Sequence, residues 1–355
     1  MSAAIPIQNI YYLLCYAWNA LDEAALIDAG RIDSTELADL FAGVLLSGTR
    51  LLLRRGLDRG YLPFAEETSR LRGKLQLAQT MKRNLLPARR AACEYDELDH
   101  NVLHNRILKT TMTRLLRTDG LAKKNADGLR DTLRWLRRIE PVPLSAGVFR
   151  RVQLHRGNRF YAFLLNVCAL IHEQLLADES TGRSRFRDFL RDEGRMRVLF
   201  QKFVFNFYAI ELKADGWRVS APGIEWQMTG ANDEARRCIP TMETDVCLES
   251  ATRRIILDTK FSATALSSGQ FGTERVKRAD LFQLFAYLRN RAAVSGWEQA
   301  EGVLLYPVAQ TAPVRVDCTL HGHPVRVRTV DLNQPWPAIR AELLAVVGSG
   351  NAPAM

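Results

Sequence analysis

Residues 242–261 read METDVCLESATRRIILDTKF, and their folding decides the character of the second half of the chain. The apolar run Ile255-Ile256-Leu257 suits a strand buried on both faces. Alternate residues of a strand share a face. Glu243, Asp245 and Cys247 therefore point one way, and so do Ile256, Asp258 and Lys260 on the next strand. With Ser250–Arg253 as a four-residue hairpin loop, Glu249 pairs with Arg254. Counting along the ladder then sets Asp245 opposite Asp258, and Glu243 opposite Lys260. Cross-strand neighbours have Cβ atoms ~4.5–5.5 Å apart. Two carboxylates that close repel unless a cation lies between them. Hard oxygen ligands with open positions suit Mg2+. A lysine beside them can orient or activate a water, which completes the equipment for metal-assisted phosphodiester hydrolysis.

An acid-x-Lys triplet alone is a weak signal, and Glu211-Leu212-Lys213 repeats it inside a predicted helix. Asp258-Thr259-Lys260 differs in following a buried run and in having a carboxylate one strand upstream. The plain alternative is a solvent-facing salt bridge at a strand end. The helix predicted over 278–293 carries Asp280-Leu281-Phe282-Gln283-Leu284-Phe285-Ala286-Tyr287. Gln283 and Tyr287 are four apart and project from one face. They either face the carboxylates or line the helix's polar edge.

The surrounding pattern is α/β. Long apolar helices are predicted over 159–177 and 193–213. Strand-like runs follow at 217–227, 239–250, 301–308, 313–320 and 324–332, and a last helix spans 337–347. His321 and His323 are expected to share a strand face, with no third metal ligand evident. The first half is mixed. A helix over 7–20 is apolar nearly all round. A second, N-capped by Ser34, runs to Leu53 and ends in Arg54-Arg55-Gly56. Residues 61–80 read as two short strands around a turn. Helices are predicted over 101–118, with Asp99 as N-cap, and over 126–138. Pro141 and Pro143 then break the pattern. The expected domains are 1–155 and 156–355, and the expected class is α+β.

Composition bounds the rest. A chain of 355 residues, 47% hydrophobic and 25% charged, is an ordinary globular protein of about two domains, which excludes a disordered chain. None of the six cysteines forms a C-x-x-C pair, which excludes a zinc ribbon or a thioredoxin-type redox centre, and Cys15 and Cys168 are expected core thiols. No apolar run approaches the ~18–20 residues of a membrane helix. The first residues lack a signal-peptide pattern, so the expected location is the cytoplasm. The net charge of +10 is compatible with a polyanionic partner. It concentrates at 50–90, where eleven Lys and Arg face three Asp and Glu. That run is a solvated face or a contact surface for nucleic acid or an acidic protein.

The order carboxylate, D-x-K, Q-x-x-x-Y resembles the PD-(D/E)xK nucleases of the RecB-like group. Ordered blocks along the whole chain are similar to the McrC family, nuclease subunits of modified-cytosine restriction systems. These are IPIQNIYYLLCYAW (5–18), RRGL (54–57), YLPFAEETSRLRGKLQLAQT (61–80), LDHNVLHNRILKTTM (98–112), FQKFVFNFY (200–208), METDVCL (242–248), IILDTKF (255–261), FGTERV (271–276), LFQLFAYL (281–288) and GVLLYP (302–307). The resemblance implies a mixed N-terminal domain that engages a partner, followed by a restriction-endonuclease-like α/β domain. It implies Asp245, Asp258 and Lys260 as catalytic residues. Asp245, Asp258 and the Thr259 main-chain carbonyl would hold Mg2+, with Gln283, Tyr287 and Glu243 in support. It also implies a McrB-like AAA+ GTPase hexamer as partner, engaged and stimulated by the N-terminal domain, and double-stranded DNA carrying methylated cytosine as substrate. The chain has no G-x-x-x-x-G-K-[ST] loop, so GTP would be bound by the partner. Two departures stand out. Thr244 precedes Asp245 where the motif name has proline, Pro240 lying five residues before Asp245. Gln201 stands where many related nucleases carry glutamate. A self-sufficient repair nuclease and a non-catalytic scaffold for DNA or an ATPase remain alternatives.

Overall fold

The computed structural model describes residues 5–26, 36–118, 120–154, 158–177, 184–186, 192–261, 266–268, 274–308 and 313–348. It forms two compact units, one of Ala25–Arg187 and one of Met1–Ala24 with Asp188–Met355. The units therefore divide the chain differently from the expected cut at 155/156. Helix α1 (Ile7–Ala17) belongs with the C-terminal unit, because its apolar faces need a partner there.

In the unit Ala25–Arg187, helix α2 (Leu37–Arg55) has Glu36 at its N-cap position, and Ser34 lies outside the described residues. Strands β1 (Gly60–Thr68), β2 (Lys74–Leu75) and β3 (Ala91–Asp99) form an antiparallel sheet in the order β1-β3-β2. Two expectations fail here. Residues Leu77–Lys82 form a short helix, where a strand was predicted. The central strand β3 was not predicted: apart from its first three residues it is largely exposed, so it carries no alternation of apolar and polar residues. Backbone pairing from Gly60↔Asp99 to Thr68↔Ala91 holds it instead. Helix α3 (Leu103–Leu115) follows, with Val102 at the N-cap. Asp99 ends β3 and accepts the Asn101 N–H. Helices α4 (Lys123–Trp135) and α5 (Arg159–Gln174) complete the unit. Gly48 of α2 lets Leu164 of α5 approach: a Cβ there would meet Leu164 Cδ2 at 2.5 Å. This packing places residues 158–174 with the first unit.

In the second unit, helix α6 (Glu193–Glu211) precedes strands β4 (Arg218–Ser220), β5 (Val246–Glu249) and β6 (Arg254–Thr259). Helix α7 (Arg278–Arg291), strands β7 (Glu301–Val308), β8 (Arg315–Leu320) and β9 (His323–Asp331), and helix α8 (Trp336–Gly348) follow. The six strands make one mixed sheet in the order β8-β9-β7-β6-β5-β4, with β6, β7 and β9 parallel. The inner strands are covered on both faces, which explains their unbroken apolar runs. On one face Val246, Leu248, Ile255, Leu257, Val303 and Leu305 pack with Phe200, Phe203 and Phe207 of α6, with Leu13 and Tyr16 of α1, and with Leu343 of α8. On the other, Cys247, Ile256 and Leu304 pack with Leu284 and Leu288 of α7. Cys15 and Cys168 are buried, as expected of core thiols. The two histidines do not share a strand face. His321 has φ 49° in the tight turn before β9, whereas His323 is buried with Nδ1 3.0 Å from the Ala300 carbonyl oxygen. Among the described residues, no helix is long and apolar enough to cross a membrane.

Gly302 of β7 sets how closely α7 lies on the sheet. A Cβ there would stand 2.8 Å from Leu288 Cδ1 and 3.0 Å from Leu284 Cδ2. Gly302→Ala is expected to cost about 1–3 kcal/mol through overpacking. Urea unfolding measures this, with the midpoint falling at an unchanged m-value. An unchanged midpoint would mean that the two leucines repack freely.

Candidate active site

The β5–β6 hairpin has the expected register, Glu249↔Arg254 through Val246↔Leu257. Asp245 and Asp258 follow at the next step, where the ladder ends. There a side chain replaces the strand. Asp245 Oδ2 accepts from the Thr259 N–H at 2.7 Å and from Thr259 Oγ1 at 2.6 Å. The predicted pairing of Glu243 with Lys260 does not form. Met242–Glu243 pairs instead with Gly223–Ile224, and the Lys260 N–H donates to the Leu305 carbonyl of β7 at 2.9 Å. The cause lies between them. The Thr244 hydroxyl donates to the Pro222 carbonyl at 2.7 Å, and Asp245 fills the next hydrogen-bonding position on β6.

Asp258, at the end of a strand buried on both faces, is 1% exposed. Lys260 Nζ lies 2.8 Å from its Oδ2, and the lysine side chain is only 18% exposed. The pair is therefore not a solvent-facing salt bridge. Helix α7 supplies the next shell. Lys260 Nζ donates to Gln283 Oε1 at 2.7 Å, Gln283 Nε2 to the Tyr287 hydroxyl at 2.6 Å, and the Tyr287 hydroxyl to the Glu243 main-chain carbonyl at 2.7 Å. The structure thus joins Asp258, Lys260, Gln283, Tyr287 and the backbone of Glu243 in one polar chain. The Glu243 carboxylate is on an exposed residue and takes no described part in it. Gln201 lies on α6 and forms no hydrogen bond with Asp245 or Asp258 among the described residues.

Two residues of this cluster carried no sequence signal of their own. Asp280 sits on α7 one turn before Gln283, with Oδ1 4.0 Å from Lys260 Nζ. Its Oδ2 accepts from the Tyr306 hydroxyl of β7 at 2.7 Å. Helical spacing from Gln283 would have flagged Asp280. Tyr306 comes from a strand whose pairing with β6 is not readable from spacing.

The electrostatics are unbalanced. Asp258 is pushed up from its ordinary 3.8 to about 7, first by burial; Lys260 opposes the shift, while Asp245 and Asp280 add to it. No well-directed hydrogen bond reaches its Oδ2 among the described residues. Asp258 and Asp280 thus share one ammonium, and Asp245 adds further negative charge at Asp258, a setting that favours a further cation. Among the described residues no three His, Cys, Asp or Glu side chains converge as ligands. A site built from Asp245, Asp258 and a carbonyl would leave positions for water and phosphate, which suits Mg2+ better than Zn2+. Thr259 offers that carbonyl. The N–H and C=O of a strand residue share an edge, and its N–H already faces Asp245.

Residues 8–307 match the family described as McrBC 5-methylcytosine restriction system component. The chain is 32% identical over 342 residues to the type IV methyl-directed restriction enzyme EcoKMcrBC of Escherichia coli (strain K12), spanning 96% of this chain and 97% of that protein. It also resembles a chain in a refined half-complex from a tetradecameric assembly of Thermococcus gammatolerans McrB AAA+ hexamers with bound McrC. The TM-score is 0.61 at 18% identity, over 97% of this chain and 76% of that one. That likeness extends the α+β fold over nearly the whole chain.

A carboxyl whose folded value exceeds its unfolded one binds protons more tightly when folded, so its contribution to stability is lost as pH rises toward that folded value. For Asp258 the window runs from about 4 to about 7. Asp258→Asn, melted in EDTA beside the parent, is expected to gain relative stability between pH 5 and pH 8, by on the order of 2 kcal/mol. A difference that stays flat across this range would mean that Asp258 is not held in a charge-hostile position.

Proposed function

The chain belongs to the McrBC family of 5-methylcytosine restriction system components, and from that premise we propose that it is the Mg2+-dependent DNA endonuclease subunit of a GTP-dependent restriction complex. The observation that carries the reading is the buried Asp258–Lys260 pair, with Asp245 beside it and Gln283 and Tyr287 behind it. The substrate is double-stranded DNA with methylated cytosine, in keeping with the methyl-directed relative.

Asp245, Asp258 and the Thr259 carbonyl would hold the cation. When bound, Mg2+ supplies Lewis-acid stabilisation of the charge that grows on the scissile phosphate and lowers the pKa of an attacking water. The protein's own groups do the remaining work. Asp245 spans the end of β5 and the Thr259 backbone, so the two strands cannot spread. Lys260 sits over Asp258, where its ammonium orients the water and faces the phosphate oxygens. Gln283 fixes that ammonium with its carbonyl oxygen and holds Tyr287 with its amide. Tyr287 ties the group to the backbone just upstream of Asp245.

The GTPase partner is a McrB-like AAA+ hexamer, engaged by the unit Ala25–Arg187. Near β2 that unit leaves Leu71, Leu77, Met81 and Leu86 exposed beside Arg70, Arg72 and Arg83. Exposed apolar residues in such a group mark a protein contact more often than a free surface, and the basic neighbours explain why the charge surplus concentrates here.

The test is a reconstitution with the cognate GTPase, GTP, Mg2+ and methylated DNA. Asp245→Ala, Asp258→Ala and Lys260→Ala are expected to reduce cleavage to background and to leave stimulated GTP hydrolysis intact. Gln283→Ala and Tyr287→Phe should slow cleavage about 10–100-fold, as supporting residues of metal sites do. Cleavage by the lone chain would instead favour a self-sufficient nuclease. Full cleavage by Asp258→Ala would overturn the assignment of the site.

A further inference from the structure

Lys260 has two carboxylates within reach, and only one of them is needed as a ligand. Its Nζ lies 2.8 Å from Asp258 Oδ2, 2.7 Å from Gln283 Oε1 and 4.0 Å from Asp280 Oδ1. Asp280 has no other cationic partner among the described residues. An acid in the first turn of α7 is favourable for the helix dipole by itself, and that accounts for its charge. It does not account for its orientation. The Tyr306 hydroxyl donates to Oδ2 at 2.7 Å from a buried position on β7. The residue before Tyr306, Leu305, accepts the Lys260 N–H at 2.9 Å. One short piece of β7 therefore fixes the backbone of Lys260 and, through Tyr306, the carboxylate near its ammonium.

We infer that Asp280 is a positioning residue of the reaction, the second seat of the Lys260 ammonium, held in place by Tyr306. The inference rests on the proposed nuclease reading and extends it. In that reading Asp258 carries two conflicting duties, as a cation ligand and as counter-ion of Lys260. Asp280 separates them. It keeps the ammonium compensated beside Gln283, so Lys260 stays over the phosphate without competing for the ligand oxygens of Asp258. Asparagine at 280 keeps the size and can still accept from Tyr306, but it removes the seat.

The first measurement is independent of activity. Titrate Mg2+ into the full-length protein by calorimetry for four forms: parent, Asp280→Asn, Lys260→Ala and the double variant. Asp280→Asn is expected to weaken Mg2+ binding at least threefold more with Lys260 present than with alanine at 260, because Lys260 then falls back on Asp258. An equal loss in both backgrounds would show that Asp280 is only a nearby negative charge, and would overturn the inference. In the reconstituted complex, Asp280→Asn should slow cleavage about 10–100-fold, with KM for DNA and the GTPase rate unchanged. Asp280→Glu should recover part of the rate. Unchanged cleavage by Asp280→Asn also overturns the inference. If that variant melts too low to assay, Tyr306→Phe decides. It keeps the charge but frees the carboxylate, and a normal cleavage rate in it would count against the proposal. Asp258→Ala is run alongside. If it still cuts, the nuclease site itself is misassigned. If it is dead while Asp280→Asn cuts normally, only the role of Asp280 fails.

Discussion

A carboxylate buried to 1% exposure must be compensated, and the second unit is organised around that demand at Asp258. The residue is buried because β6 is covered on both faces, by α6 and α8 on one side and by α7 on the other. It lies at a strand end, where the ladder to β5 stops and Asp245 takes over the last donors. Lys260 answers part of the charge, and α7 holds Lys260. Removing the helix would leave the ammonium unanchored; removing the burial would leave an ordinary surface pair worth little.

The same sheet shows what full compensation looks like. At the opposite ends of β6 and β7, Glu301 is held by Arg253 at 2.6 and 2.8 Å and by Arg326 at 2.5 Å. Arg253 also donates to the Val347 carbonyl of α8. There two guanidiniums share one carboxylate, and the cluster fastens helix to sheet. At the Asp258 end the ratio is reversed: Asp258 and Asp280 share the Lys260 ammonium, and Asp245 adds to the negative charge at Asp258. The carboxylates at that end outnumber the nearby cations, a balance that a bound cation would correct.

How much of this was legible follows from which interactions are periodic. The hairpin register was readable because Ser250–Arg253 fixes the loop and each step on one strand is a step on the other. That count held to Val246↔Leu257 and failed beyond it, since nothing in the spacing shows Thr244 bonding to Pro222 or Asp245 replacing a strand hydrogen bond. Gln283 and Tyr287 share a helix face and so announced each other. Asp280 shares it too, but its meaning depends on Tyr306, which reaches it from another strand. In the first unit, β3 was hidden because most of it faces solvent. The division of the chain was hidden because α1 and α5 pack on elements far from them in sequence.

The charge surplus and the site obey opposite rules, and that separation bears on how such a chain would handle DNA. A net charge of +10 attracts a polyanion over a range that salt shortens. Around Asp258 the sign is reversed, so a DNA phosphate brought there would meet carboxylates. Surface attraction can therefore deliver DNA to the protein but cannot seat a phosphate at the site. On the proposed reading, seating would need a cation held by Asp245 and Asp258, with Lys260 placed so that it does not occupy the same oxygens. The basic run at 50–90 lies in the other unit, beside exposed leucines and Met81. The densest basic run and the carboxylate cluster thus lie in different parts of the sequence, so a change in either can be made without a necessary change in the other.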